Sequence, residues 1–346
     1  MDRSKKKFDV AIVGATGLVG LEMLSILEER NFPVNNLYLF ASDISAGEEK
    51  EFHGKPIKIQ ALNSETINST KVDISFWSIG AQLSQQYIPH ASKAGWISID
   101  NSSAFRMEKE IPLAVPEVNP EVLKGTKSGA IIANPNCSTI QLVQILKPID
   151  DAFGLKRVVV STYQSVSGSG KLAMKELEEQ TTAILNLKAD KIEPSVYPHQ
   201  IGFAVLPHID DFLPNGNTKE EMKMVNESRK ILSLPTLPIT ATCVRVPVFG
   251  SHSESVNIEV NKPIAPKEVR SLLSETPGVK IIDDPSKCLY PLNTDASGKD
   301  ETFVGRIRVD DSVKHGVNLW VVSDNLRKGA ALNAIQIGEY LISHNT

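Results

Sequence analysis

A strand that empties straight into a run of glycines and then a helix leaves a chain few folds to choose from. Phe8 to Val13 is a short apolar run ending in Gly14-Ala-Thr-Gly17-Leu-Val-Gly20. Gly20, Met23, Leu24 and Leu27 then recur at the spacing of one buried helix face. Glycines let backbone amides approach an anion, and a helix start offers unpaired N–H groups and a positive dipole end. The spacing is G-x-x-G-x-x-G rather than the stricter G-x-G-x-x-G, and such a turn alone serves packing as readily as phosphate binding. The downstream rhythm gives it weight. Leu37 to Ala41, Val72 to Trp77 and Trp96 to Asp100 read as strands, with a helix over Ala81 to Lys93. Strands alternating with helices imply parallel pairing through right-handed crossovers, a doubly wound α/β sheet.

Composition narrows the function. With 346 residues the chain is long enough for two domains, and 37 Lys and Arg against 41 Asp and Glu give a net charge of −4. A nucleic-acid binder shows a basic excess or stripe, and neither is present. No apolar stretch approaches the roughly 18 residues a membrane span needs. Met1 to Lys7 is basic, but a strand follows at once where a signal peptide would place an apolar core. Three cysteines make no disulfide framework, which fits a reducing, cytoplasmic setting. A globular protein acting on a small molecule is the expectation.

The rhythm changes near Asn134. Helices are expected over Ser138 to Ala152, Lys171 to Leu187 and Lys219 to Leu232. Strands are expected over Lys156 to Gln164, Ala241 to Pro247, Ser255 to Val260, Thr302 to Val309 and Val317 to Val322. Too few long helices separate those strands for a second doubly wound unit, so a mixed or antiparallel sheet is expected. Ser165 to Gly170 reads as a loop, and Asn186 to Asn217, with four prolines, as an excursion over the surface or towards a partner subunit. A last helix from about Asn325 to Ser343 places Ala331, Ile335, Gly338 and Ile342 on one face.

Cys137 follows a proline turn, Asn134-Pro-Asn136, at the start of a helix. That position favours the thiolate, the reactive form of a thiol. Cys243, in a β-rich run, and Cys288 read instead as small buried hydrophobes. Arg245 sits among Val244, Val246 and Val248, where burial demands an anionic partner: a substrate carboxylate, or equally a structural Asp or Glu. His252 lies seven residues on, in a Gly-Ser-His-Ser stretch that reads as a polar loop. At the second strand's end, Ser42 and Ser45 suit a 2′-phosphate, while Asp43 lies one residue late for a ribose hydroxyl, so the choice between NADP and NAD stays open.

Nine blocks, in order, resemble the aspartate-semialdehyde dehydrogenase family. They are Gly-Ala-Thr-Gly-Leu-Val-Gly at 14–20, Asn-Ser-Ser-Ala-Phe-Arg at 101–106, Val-Pro-Glu-Val-Asn at 115–119 and Asn-Pro-Asn-Cys-Ser-Thr at 134–139. Ser-Thr-Tyr-Gln at 161–164, Glu-Glu-Met-Lys at 220–223, Cys-Val-Arg-Val-Pro at 243–247, Ser-His-Ser-Glu at 251–254 and Trp-Val-Val-Ser-Asp-Asn-Leu at 320–326 complete the set.

The resemblance implies a Rossmann-like dinucleotide-binding domain over 1–133, completed by a C-terminal helix at 325–346, and a mixed α+β catalytic and dimerisation domain over 134–324. It implies interconversion of 4-aspartyl phosphate and aspartate 4-semialdehyde with NADP and inorganic phosphate, in lysine (diaminopimelate), threonine and methionine biosynthesis. Cys137 would be the nucleophile, His252 the acid–base residue and Gln164 the group orienting the acyl intermediate. Arg245 would fork onto the substrate α-carboxylate and Glu220 meet its ammonium, with Lys223 and Arg106 on phosphate and Asn136 beside the substrate. Gly14, Thr16, Gly17, Leu18, Val19, Ser42, Ser45, Gly168 and Asn325 would bind the cofactor. No metal is called for, and a homodimer or homotetramer is expected. Without the family pattern, Glu220 and Lys223 read as a surface ion pair. Ile44 and Glu48 depart from the family's Ala-Ser-x-Arg-Ser-Ala-Gly-Lys stretch, and Ile44 leaves NAD as an alternative cofactor.

Two other classes compete. N-acetyl-γ-glutamyl-phosphate reductase shares the chemistry, but its acylated amine would not call for Arg245 and the Glu220/Lys223 pair. A cofactor-binding regulatory protein without turnover would not need both Cys137 and His252.

Overall fold

The computed structural model describes residues 7–188 and 193–344. Residues 1–6, the last two, and 189–192 within the proline-rich excursion lie outside the described residues. The chain divides into two compact units, Met1–Asn136 with Ala330–Thr346, and Cys137–Gly329.

The first unit is built on a seven-stranded sheet of β1 (Phe8–Val13), β2 (Val34–Ala41), β3 (Glu49–Phe52), β4 (Lys55–Ala61), β5 (Ile74–Trp77), β6 (Ile97–Asp100) and β7 (Ile131–Ala133). Their spatial order is β3-β4-β2-β1-β5-β6-β7, all parallel but for the β3–β4 hairpin. Helices α1 (Leu18–Glu29), α2 (Ser64–Ser69) and α3 (Ala81–Lys93) make crossovers. Val10 to Val13 are fully buried because both sheet faces are covered. Met23, Ile26 and Leu27 of α1 pack on one face, and Trp77, Ile88 and Trp96 on the other. The alternating α/β order expected from the sequence is therefore present. Four elements went unread: β3, β4, β7 and α2.

The second unit holds a six-stranded sheet of β8 (Leu155–Gln164), β9 (Ile239–Arg245), β10 (His252–Val260), β11 (Val279–Ile281), β12 (Thr302–Asp310) and β13 (Gly316–Ser323), in the order β11-β12-β13-β10-β8-β9. Pairs β8–β9 and β11–β12 are parallel and the rest antiparallel, so the sheet is mixed, as expected. One face is covered by α4 (Cys137–Phe153), α6 (Lys219–Ile231) and α7 (Pro266–Ser274), while α5 (Lys171–Leu185) follows a single 3₁₀ turn at Val166–Ser169, where a loop was expected. A four-residue α8 (Asn293–Ala296) precedes β12. The chain leaves β13 through a π-helical turn, Arg327–Ala331, before α9 (Leu332–His344) joins the first unit; the single helix expected from Asn325 is thus two elements.

Strand alternation puts Val256, Ile258 and Val260 of β10, Val158 and Val160 of β8 and Ala241 of β9 in the core beneath the helices. Further along the same strands the buried positions turn polar: Glu254 and His252, Thr162 and Gln164, Cys243 and Arg245. Pairing brings Gln164 opposite Arg245 and Ser253 opposite Tyr163. One end of this sheet is therefore a buried polar layer. The excursion packs there in part: Leu206 exchanges backbone hydrogen bonds of 2.8 and 2.9 Å with Arg245, and Ile201 and Leu206 cluster with Val166, Ala173 and Leu177.

Candidate active site

The glycine turn in the first unit follows from close approach. Gly14 has φ +94°, and a Cβ there would collide with the Ser78 carbonyl; a Cβ on Gly20 would collide with the carbonyl of Gly14 itself. Gly17 is the N-cap of α1 and has no side chain to cap it, so the turn brings the backbone N–H groups of a helix start to this point. The turn sits where β1 is flanked on both sides by crossover strands, the crevice at which doubly wound sheets take ligands. Gly14 N donates to the Phe40 carbonyl at 2.8 Å, which places Ser42, two residues later, beside the turn. Ser42 and Asp43 are exposed and Ile44 almost wholly so.

Arg106 and Asn136 are buried in the first unit as well. The guanidinium is held by two carbonyls, Nε on Asn134 at 2.9 Å and Nη2 on Asn101 at 2.7 Å.

The second unit gathers the remaining candidates. Cys137 is the first residue of α4, partly exposed, and the Gly329 backbone packs against it so closely that a Cβ on that glycine would lie 2.9 Å from the Cys137 Cβ. Four residues before Gly329, Asn325 acts as a hub. Its Oδ1 accepts from Ser165 Oγ at 3.1 Å, Ser167 Oγ at 3.2 Å and Ser251 N at 3.0 Å.

His252 is not in a loop. Ser251 takes the turn with φ +65°, and His252 opens β10 wholly buried, so the polar-surface reading of this histidine is corrected. Its Nδ1 accepts the Ser165 backbone N–H at 3.1 Å. Because a backbone amide can only donate, the proton of the neutral ring belongs on Nε2. That Nε2 is buried and has no partner. Burial, aided by the Arg245 charge, pushes the imidazole down to about 3, well below the value near 6.5 expected of a free histidine.

Arg245 ends β9, 5% exposed. Its Nη1 donates to the Ser165 carbonyl at 2.6 Å, the Tyr197 ring lies 5.9 Å from the guanidinium carbon, and its Nε is buried without a partner. A Cβ on Gly168 would fall 3.2 Å from Arg245 Nη1 and 3.4 Å from His252 Nε2. The bare glycine thus keeps open a space faced by both groups.

Beside this space the charges are paired. Gln164 accepts from Thr162 Oγ1 at 2.9 Å and donates to Glu220 at 3.1 Å; Lys223 bridges Glu220 at 3.1 Å and Asp210 at 2.7 Å. Glu220 is buried, so this is no surface ion pair. Burial works against the Lys223 charge, but the Glu220 and Asp210 carboxylates outweigh it and hold its ammonium above the usual lysine range. The sequence had not pointed to Asp210, Ser165 or Ser251. Cys243 is buried, as expected, and burial raises its thiol far above the usual range. Cys288 is exposed in a left-handed turn, φ +54°, against the expectation of a buried hydrophobe.

Residues 9–126 match the family model for the semialdehyde dehydrogenase NAD binding domain, and residues 146–328 match that for the semialdehyde dehydrogenase dimerisation domain. The chain is 52% identical to an aspartate-semialdehyde dehydrogenase of Aquifex aeolicus over 97% of its own length and 98% of the relative's. It is 51% identical to that of Bacillus subtilis over 96% of each chain. The crystal structure of aspartate semialdehyde dehydrogenase II from Vibrio cholerae, solved in complex with ASA, superposes with a TM-score of 0.93 at 46% identity, covering 99% of this chain and 100% of that one. With likeness of this order across both units, the chain belongs to the aspartate-semialdehyde dehydrogenase family.

Proposed function

We propose that the protein is a cytoplasmic, NADP-dependent enzyme that reversibly converts 4-aspartyl phosphate to aspartate 4-semialdehyde through a thioester on Cys137. One observation supports this above the others. Two buried donors, Arg245 Nε and His252 Nε2, lack partners, and Arg245 Nη1 and His252 Nε2 face the space kept open by Gly168. A buried guanidinium without its full complement of acceptors is costly, and a substrate α-carboxylate offers a planar match for its fork.

A nicotinamide nucleotide fits the residues present, because the glycine turn leads into the N-terminus of α1 at the crevice beside β1, where backbone N–H groups and the helix dipole favour a pyrophosphate. Gly14, Thr16, Gly17, Leu18 and Val19 would hold its pyrophosphate, Ser42 and Ser45 the 2′-phosphate, and Gly168 and Asn325 its nicotinamide half. Bound there, it would supply the hydride for reduction of the thioester.

The chain's own residues do the rest. In the biosynthetic direction the Cys137 thiolate attacks the acyl carbon, a C–S bond forms, and the C–O bond to phosphate breaks. Its place at a helix start favours the thiolate. After reduction the C–S bond breaks and Cys137 leaves as thiolate while the aldehyde forms. His252 Nε2–H hydrogen-bonds the oxygen on which negative charge develops at each tetrahedral stage. A substrate carboxylate on Arg245 also offsets the repulsion that lowers the imidazole, making His252 a better proton carrier when substrate is bound. Gln164 orients the acyl group, Glu220 meets the α-ammonium, and Lys223, Arg106 and Asn136 receive the phosphate and substrate. The protein works as a homodimer or homotetramer in lysine, threonine and methionine biosynthesis.

A side-by-side assay tests the reading, with aspartate semialdehyde or the N-acetylated glutamate analogue, phosphate, and NADP or NAD. Turnover of the first substrate alone supports it; preference for the second overturns it. Because Ile44 leaves the 2′-phosphate without an arginine, the NADP-to-NAD ratio of kcat/KM should stay below about 10³, a span of roughly 4 kcal/mol.

A further inference from the structure

Two residues along β10 from His252, on the same face, Glu254 is completely buried, and neither carboxyl oxygen has a hydrogen-bond partner. An ionised carboxylate is not left this way, since burying a bare charge costs far more than burying a protonated acid. The groups facing it carry no charge that could hold the anion. Thr162 and Val321 lie directly opposite on β8 and β13, and Ser323, its hydroxyl also buried and unpartnered, lies across from His252. From α4 the Gln141 side chain faces the carboxyl, its Nε2 buried and unpartnered as well. Beyond β8, Cys243 shares this face, and the carboxylates near its thiol, Glu220 and Glu221, supply no positive charge. Burial outweighs the Gln141 amide, which favours the ionised form, and pushes the Glu254 carboxyl well above the usual carboxylate range.

Gln141 is one helical turn from Cys137, on the same side of α4. We propose that Glu254 is a positioning residue: kept as the un-ionised acid, it engages the Gln141 amide and fixes the first turn of α4, and with it the Cys137 thiol. The inference rests on Cys137 being the nucleophile. Glutamine has the shape of the neutral acid and the same pair of polar atoms, so it serves in Glu254's place; alanine does not.

Infrared difference spectra of the wild-type enzyme against Glu254→Gln at pH 7 should show the carbonyl stretch of an un-ionised carboxylic acid; a carboxylate band in its place overturns the proposal. Glu254→Ala should lower kcat and the rate of iodoacetamide alkylation at Cys137, read by mass spectrometry of its peptide, by about tenfold with KM unchanged, while Glu254→Gln stays within about twofold on both. A glutamine variant as impaired as the alanine one, or an alanine variant equal to wild type, contradicts it. The pH profile gives a further readout. The folded chain keeps a proton that the unfolded chain loses near pH 4.3, so wild-type stability declines as pH rises above that value. The melting temperature of Glu254→Gln should therefore gain on wild type between pH 5 and 8, and an unchanged gap contradicts the neutral acid. Failure of the thioester reading would appear separately, as turnover by Cys137→Ala with the infrared band intact.

Discussion

The polar end of the second sheet holds two clusters of buried charge that differ in how fully their groups are paired. Around Glu220 the circle is closed: Gln164 and Lys223 donate to it at 3.1 Å, and Asp210 in turn takes Lys223 at 2.7 Å. Around Arg245 and His252 it is open, with Nε and Nε2 buried and unpartnered. The open cluster is also the more deeply buried, with Arg245 5% and His252 0% exposed against 25% and 30% for the Lys223 and Asp210 side chains. The closed cluster is self-sufficient and holds its shape without a ligand; the open one is unsatisfied until something anionic arrives. A protein tolerates such unmet groups where a ligand completes them.

Substitutions should separate the clusters by size of effect. Arg245→Lys, in the open cluster, should raise KM for aspartate semialdehyde about 100-fold with the fold intact, because a point charge cannot reproduce the fork. An unchanged KM would mean that the guanidinium serves packing. His252→Asn should lower kcat about 100-fold, the range of a lost catalytic proton carrier or oxyanion donor. It should also change acid behaviour. With its imidazole at about 3 when folded, the ring takes up a proton on unfolding at any pH between that value and 6.5. Wild-type stability thus falls as pH drops below 6.5, and the variant should lose stability less steeply between pH 6.5 and 4. Equal slopes would show that the histidine titrates normally. Glu220→Gln, in the closed cluster, should have the smallest effect, about tenfold in KM, since Lys223 keeps Asp210 and Gln164 keeps Thr162. An effect as large as that of Arg245→Lys would erase the distinction between the clusters.

The first unit was the easier to read. Its α/β alternation is written in apolar runs, and the helix expected over Ala81 to Lys93 has those bounds as α3. The parts that escaped are short or solvated: β3 and β4 carry lysines and glutamates at the sheet's edge, and β7 is three residues long. In the second unit the identities of the candidate residues were legible but their environments were not. Gly-Ser-His-Ser looks like a loop, yet Ser251 alone takes the left-handed turn and the strand starts one residue later. Alternation along β10 carries Glu254 inward with His252, and acids at such positions are ordinarily read as surface. Asp210, in an irregular segment, reaches Lys223 by tertiary contact across thirteen residues. The Ser165 amide fixes the imidazole tautomer, a detail that no side-chain pattern encodes.

The central claim is that the Cys137 sulfur carries the acyl group, and a burst experiment tests it most directly. Enzyme mixed with aspartate semialdehyde and NADP, with phosphate withheld, should form reduced cofactor rapidly and once, in amount equal to the active sites, because the thioester has no phosphate to discharge it. Mass spectrometry of the quenched protein should find the acyl group on the peptide that begins α4, and Cys137→Ala should show neither burst nor adduct. Steady reduction without a burst, or a full burst in the alanine variant, would contradict the covalent route.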